Sequence, residues 1–347
     1  MSETEEKLFN IDQVAEPEDL RSVIYSMIAI PHLSPVNIFN EFASTAIDSK
    51  LVGKDELSGA GIFKIDDSGK LFSQTIYADY KRFAVDPFVA AQIIVAKAVR
   101  HLVCYGFEPV AMSAYINNVD FASPMAEEMV MAARLGLDAA ATCFNLQFAN
   151  WNIFYDTLSG SGAVPPTLII SLLGKTNDND RVCTPSLKQK GDNLLLVGRS
   201  YNNINASEYL SHFHEIKNSP LMPFNLASES KLINALKELL KRNILSSASP
   251  VGKGGLFFTL LRDCLPNELG FDLTTDAEIR ADAFLFGEGM GRIVVSVEEK
   301  NEDEFVDFLF DHKIPVMTLG HVTKGEIRID DISLGFVDKG IIGEYLD

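Results

Sequence analysis

Asp86-Pro87 opens a helical stretch that runs through Ala90-Ala-Gln-Ile-Ile-Val-Ala-Lys-Ala-Val-Arg-His-Leu-Val103, and strand-like runs lie on both sides of it, at residues 61–65, 71–78, 110–116 and 167–173. A second helical stretch, rich in Met and Ala, spans 124 to about 137. Helices with this much apolar surface, alternating with runs of strand type, bury it against a sheet. The chain is therefore predicted to begin with an α+β layer whose helices lie on one side of the sheet.

A polar stretch, Lys175-Thr-Asn-Asp-Asn-Asp-Arg-Val-Cys-Thr-Pro-Ser186, breaks this pattern and sets a domain boundary at about 178. Beyond it, 192–198 reads as a buried strand, followed by helices over 228–243 and after Gly255, strands over 292–297 and 315–319, and a helix over 302–310 between those two. The expected division is an acidic arm over 1–20, a mixed-sheet domain over 21–178 and an α/β domain over 179–347.

Charge narrows the partners. The formal net charge of −18 repels phosphate backbones and anionic lipid, so neither nucleic acid nor membrane is expected as a partner. Any phosphate-bearing ligand then needs a locally built site. The acidic start Met1-Ser-Glu-Thr-Glu-Glu-Lys7 is unlike a signal peptide, which makes a cytoplasmic location the expectation. Cys104, Cys143, Cys183 and Cys264 are widely spaced and are expected as buried free thiols.

The run Ser247-Ala-Ser-Pro-Val-Gly-Lys-Gly-Gly-Leu256 places two adjacent glycines where the chain enters a helix. Open backbone amides at such a point hold an anion, and a lysine adds a point charge. Lys253, Gly254 and Gly255 are therefore phosphate-binding candidates. The run holds no His, Asp, Glu or Cys, so no proton-handling group is evident in it.

Further segments occur in a telling order: Leu33-Ser-Pro35, Asp86-Pro-Phe-Val-Ala-Ala91, Gly106-Phe-Glu-Pro109, Ala149-Asn-Trp-Asn-Ile-Phe-Tyr-Asp-Thr157, Val164-Pro-Pro-Thr167, Ser207-Glu-Tyr-Leu210 and Leu285-Phe-Gly-Glu-Gly-Met-Gly-Arg-Ile-Val-Val-Ser-Val297. Spread over nearly the whole chain, they resemble the second half of phosphoribosylformylglycinamidine synthase. That family belongs to the superfamily of aminoimidazole ribonucleotide (AIR) synthetase, selenophosphate synthetase and thiamine-monophosphate kinase. The resemblance implies an AIR synthetase-like α+β fold, ATP and Mg²⁺ as cofactors, and a reaction of purine biosynthesis. In it ATP activates an amide oxygen of a phosphoribosyl substrate, and ammonia displaces it. It also implies pairing of synthetase halves, here as a homodimer through the N-terminal sheets.

Against that pattern the chain departs at the metal. Carboxylates hold magnesium on the phosphates in such chemistry. Here Ser58-Gly-Ala-Gly61 stands where the family has Asp after a glycine-rich turn, Thr75-Ile-Tyr77 ends a strand where Asp is usual, and Lys97 replaces a helix Glu. Ser249-Pro250 replaces His-Asp. A degenerate site without metal is the first expectation, with no catalytic residue assigned. The alternative is an active synthetase with relocated ligands Asp79, Asp86 and Asp156, Asp79 sharing a strand face with Tyr77. A third reading is a regulatory module that binds a phosphoribosyl metabolite without turnover.

Nucleotide- or substrate-binding candidates implied by the resemblance are Asp86, Asn117, Asn150, Asp156, Glu208, Glu288 and Arg292. Each has a structural reading beside it. Asp86 before Pro is a natural N-cap, and Asn117, Asn150 and Asp156 also suit strand ends and turns. Glu208 follows Asn205-Ala-Ser207, where the family has paired glycines, and Glu288 and Arg292 could pair with each other or cap a turn. Trp151 and the Met-rich helix read as core or interface. His212 and His214 lack a third ligand at metal spacing, and His32, His101, His312 and His321 read as structural.

Overall fold

The computed structural model describes residues 10–34, 61–64, 70–120, 123–156, 165–176 and 182–337. The first sheet holds β1 (Gly61–Lys64), β2 (Leu71–Asp79), β3 (Glu108–Asp120), β4 (Gln147–Asp156) and β5 (Thr167–Thr176), in the order β1-β2-β5-β3-β4. Among the described strands of this sheet β3 and β4 are the one parallel pair, and such a pair needs a crossover. The Ala126–Phe144 helix provides it. Leu168, Ile170 and Leu172 of β5 are fully buried while the residues between them are only half-buried, the period of two expected when one face meets the core.

That face is covered by the Pro87–Cys104 helix. The Asp86 carboxylate accepts the Val89 amide at 3.0 Å, and Pro87 sits where its missing N–H costs nothing. Of the described helices this one is long and apolar enough to cross a membrane, yet most of it is core: Ala90, Ile94, Val95, Ala98 and Leu102 are shut off from solvent. It crosses the Ala126–Phe144 helix so closely that a Cβ at Gly136 would lie 2.2 Å from the Phe88 carbonyl oxygen. Glycine there is a packing requirement.

The second sheet has the order β12-β11-β8-β10-β6-β9-β7, from β6 (Asn193–Val197), β7 (Leu245–Pro250), β8 (Gly270–Leu273), β9 (Ile293–Val297), β10 (Val316–Thr323), β11 (Glu326–Ile329) and β12 (Ile332–Phe336). Among the described strands of this sheet only β8 and β11 pair in parallel. Its central strands face two cores. Leu195 and Val197 join the apolar cluster shared with the first sheet, while Leu194 and Leu196 point into a second cluster beneath the Gly255–Cys264 and Ala281–Phe286 helices. This explains why β6 and β9 read as continuous apolar runs. The fold is α+β, with the two sheets sharing the first cluster.

Two expectations are corrected. The first concerns the N-terminal arm, of which residues 1–9 lie outside the described ones. Ile11 and Val14 are buried, and Arg280 donates to both of their carbonyls at 2.9 Å. The Leu20–Ile28 helix also belongs to the second cluster, through Val23, Ile24, Met27 and Ile28. Residues 11–33 thus pack on the C-terminal half although the division at 178 grouped 21–33 with the N-terminal one. Second, Ser247–Pro250 is strand β7 rather than part of the glycine turn, which spans only Val251 to Gly254. Of the four thiols, Cys143 is exposed while Cys104, Cys183 and Cys264 are buried.

Candidate functional site

A cleft of about 820 Å³ opens where the end of β2 and the Pro87–Cys104 helix face the Glu208–His212 helix and the glycine turn. The alternation of β2 sends both Tyr77 and Asp79 into it. Asp79 is fully engaged: one carboxylate oxygen accepts the Arg82 amide at 2.9 Å and the other accepts its guanidinium at 2.8 Å. Arg82 also reaches Glu288 at 3.6 Å. Burial works against the Asp79 anion, but Arg82 and Lys97 outweigh it and hold the carboxyl below the usual range.

Glu208 stands at the opposite wall. Ser207 caps its short helix, and the Glu208 amide donates to Glu288 Oε1 at 2.8 Å, so the backbone is fixed at the cleft surface. His32 and Lys253 approach Oε1 at 3.3 and 3.8 Å, and Lys81 and His212 approach Oε2 at 3.1 and 3.3 Å. Burial would raise its pKa; His32, Lys81 and Lys253 instead drive it far below the ordinary carboxylate value. Glu208 remains an anion.

The floor is different. Lys97 and Arg262 line the cleft, and among the described residues neither has a carboxylate within ion-pair distance; Arg262 makes only a 3.5 Å contact with the Thr259 hydroxyl. Burial, aided by Arg82 and Arg100 and opposed by Asp79 and Glu288, pushes the Lys97 ammonium down to about 7. Tyr77 shares a 2.7 Å hydrogen bond with His101, and burial pushes its phenol up to about 12. Arg100 is taken by buried Glu229. Ser249 donates to Asp263 at 3.2 Å.

Residues 189–331 match the family described as AIR synthase related protein, C-terminal domain. Over 339 residues, 96% of this chain, the sequence is 25% identical to the phosphoribosylformylglycinamidine synthase subunit PurL of Alkaliphilus metalliredigens, and over 334 residues, 94% of it, 28% identical to that of Salinibacter ruber. The chain spans 45% and 44% of those relatives. T. maritima PurL complexed with FGAR superposes with a TM-score of 0.75 at 13% identity, over 94% of this chain and 54% of the other; the same protein complexed with ATP gives 0.73, over 94% and 52%. The chain is thus similar to PurL over nearly its whole length, and residues 189–331 match the AIR synthase related C-terminal domain.

In this PurL-like chain the expected site residues do not all meet. Glu208, Glu288 and Lys253 line the cleft with Asp79, Tyr77 and Lys97. Asp86 is away from it and spends its carboxylate on the Val89 amide. Asn117 pairs with Thr167 in the sheet, and Asn150 is exposed on β4 opposite Ser113. The Asp156 side chain and Ser58–Ala60 lie outside the described residues; the Asp156 backbone pairs with Asp120 at the end of β4. No three His, Cys, Asp or Glu side chains among the described residues converge to hold a metal.

The glycine turn is corrected in its chemistry as well. The Gly254 amide donates to Glu288 Oε1 at 3.0 Å and the Gly255 amide to the Gly252 carbonyl at 3.1 Å, so neither is open to an anion. A Cβ at Gly255 would lie 2.5 Å from the Leu285 carbonyl oxygen, and its φ of +76° suits glycine alone. Packing explains both glycines. Glu288 is not solvated: it caps two helix starts and meets Arg82. Arg292 is buried outside the cleft, donating to Ser200 and to the Phe284 and Gly287 carbonyls, and burial lowers it to about 10.

Sequence reading missed Lys81, Arg82 and Arg262 as cleft residues and treated His32, His101 and His212 as structural or surface groups. One signal was available: Asp79-Tyr-Lys-Arg82 brings an acid and two bases together where β2 ends. Arg262 gave none, because its place in the cleft depends on how the two sheets meet.

Proposed function

We propose that this PurL-like chain is a cytoplasmic protein of purine biosynthesis whose cleft holds a phosphorylated anion, a phosphoribosyl metabolite or a nucleotide, without the magnesium-dependent synthetase chemistry of its family. The carrying observation is that Lys97 and Arg262 face the cleft with no carboxylate within ion-pair distance among the described residues, in a chain of net charge −18. Burial makes the Lys97 ammonium costly, because Asp79 and Glu288 act on it only from beyond ion-pair distance, and a bound anion would supply a closer counter-charge. T. maritima PurL, which shares the fold, is known in complexes with ATP and with FGAR.

The described residues do not fit a family-type magnesium site. Lys97 and Tyr77 stand where carboxylates are expected, and both Asp79 oxygens are committed to Arg82. A unit cation about 4 Å from a dication costs several kcal/mol at an effective dielectric near 20. Relocated ligands fare no better, since Asp86 caps a helix.

The chain is further proposed to pair with itself through the outer face of the first sheet. Ile76 is 64% exposed there and Phe154 53%, with Tyr115 stacked on Phe154 at 6.3 Å. An apolar patch of this kind is covered in most soluble proteins. One test addresses ligand binding directly. Calorimetric titration with a ribose 5-phosphate or nucleotide panel at pH 7 should show binding that Lys97→Met with Arg262→Met weakens at least tenfold. Equal affinity in wild type and double variant would refute the reading.

A further inference from the structure

Five groups from separate parts of the chain meet at one side of the cleft. His32 follows the Leu20–Ile28 helix, Lys81 opens the helix after β2, Glu208 and His212 lie on one short helix, and Lys253 lies in the glycine turn. All four bases point at one carboxylate, within 3.1 to 3.8 Å. Among the described residues the charges do not match. Lys81 and Lys253 carry two positive charges and the histidines add more when protonated, while Glu208 supplies a single negative one. Glu288, the next carboxylate, is engaged by Arg82 and by two backbone amides.

A structural tie would be made from buried partners, whereas Lys253, His212 and His32 have side chains 54%, 46% and 42% exposed. Exposed ion pairs contribute little to stability. Four bases around a single carboxyl group, open to solvent on one side, have instead the composition of a seat for a dianion: a phosphate monoester offers two charges and three acceptor oxygens.

We propose that Glu208 is an internal occupant of a phosphate seat formed by Lys81, Lys253, His32 and His212, and that a dianionic phosphoryl group enters only by displacing its carboxylate. Glu208 thereby sets a threshold for ligand binding. Weak or singly charged anions fail to displace it, and a phosphate monoester succeeds. The inference deepens the reading of the cleft as an anion site and rests on it. Its residues, however, are separate from Lys97 and Arg262, so the two can fail independently.

The test uses the full chain and inorganic phosphate as probe, with binding followed by calorimetry and by the imidazole NMR signals of His32 and His212. Glu208→Gln keeps the shape of the side chain and removes its charge. It should bind phosphate at least tenfold more tightly than wild type, and adding Lys253→Met should reverse most of that gain. Phosphate affinity equal to or weaker than wild type in a folded Glu208→Gln protein would overturn the proposal. Should that variant fail to fold, wild type decides. Tens of millimolar phosphate should shift both histidine signals, and Lys253→Met should weaken the effect at least threefold; unmoved signals would overturn the proposal equally. Loss of binding in Lys97→Met with no response to Glu208→Gln would leave the cleft reading standing and remove this one.

Discussion

Lys97 destabilises the folded chain at neutral pH, because its ammonium is held at about 7 in place of 10.5. The folded state therefore binds fewer protons than the unfolded one between pH 7 and 10, and stability rises with pH across that window. Lys97→Met should stabilise the protein by about 2 kcal/mol or more at pH 7, and the advantage should shrink towards pH 10; urea unfolding at several pH values measures both. Asp79 and Glu208 act in the opposite sense. Their folded values are depressed, so the stability they add is present above the ordinary carboxylate range and is lost as the pH falls through it. Ligand binding should follow Lys97 too: an anion favours its protonated form, so sulfate affinity should fall as the pH rises from about 6.5 to 8.5. His32, His101 and His212 also line the cleft, and Asp79, Glu288, Arg82 and Arg100 act on Lys97 itself. Lys97→Met isolates its share, and an equally steep profile in that variant would assign the dependence to the histidines. At this scale much was legible, since Tyr77 and Lys97 stand out as departures from the family pattern. The engagement of Asp79 by Arg82 was not, because a carboxylate's partners depend on the turn after its strand.

The glycine turn shows where local sequence misleads. Adjacent glycines before a helix announce either open amides or close packing, and residue spacing alone does not separate the two. What decides is Glu288, thirty-four positions from Gly254, which reaches back to take its amide. Gly255→Ala should cost about 1–3 kcal/mol through its left-handed backbone alone, plus the clash with Leu285, and thermal unfolding should show a clear loss. The Gly136 crossing is a parallel case: Gly136→Val should destabilise the contact with the Pro87–Cys104 helix, whereas a neutral result would mean the two helices can part. Four of the five strands and both long helices of the first layer were readable from periodicity, but β4 was not, and the Ala126–Phe144 helix runs several residues past its expected end. In the second sheet β8, β11 and β12 were not read either, and β7 was lost because Ser247, Ser249 and Pro250 carry no strand signature and it is defined by pairing with β9.

At the scale of the molecule, the order of sheets and the shared core follow from helices and strands that each bury one face, and the family resemblance reached the same fold. The cleft between the sheets was visible only in part, since Arg262, His32 and Lys81 come together solely through the packing of distant segments. The exposed face of the first sheet leads to a prediction of assembly: light scattering at micromolar concentration should give twice the 38.2 kDa chain mass, and Ile76→Lys with Phe154→Lys should return it to one. A monomeric wild type would contradict that proposal without touching the cleft. The central claim, an anion site that works without a divalent metal, is tested most directly by calorimetric titration of ATP with magnesium and with a chelator. The account predicts no loss of affinity when magnesium is removed. Micromolar binding that disappears on chelation would contradict it.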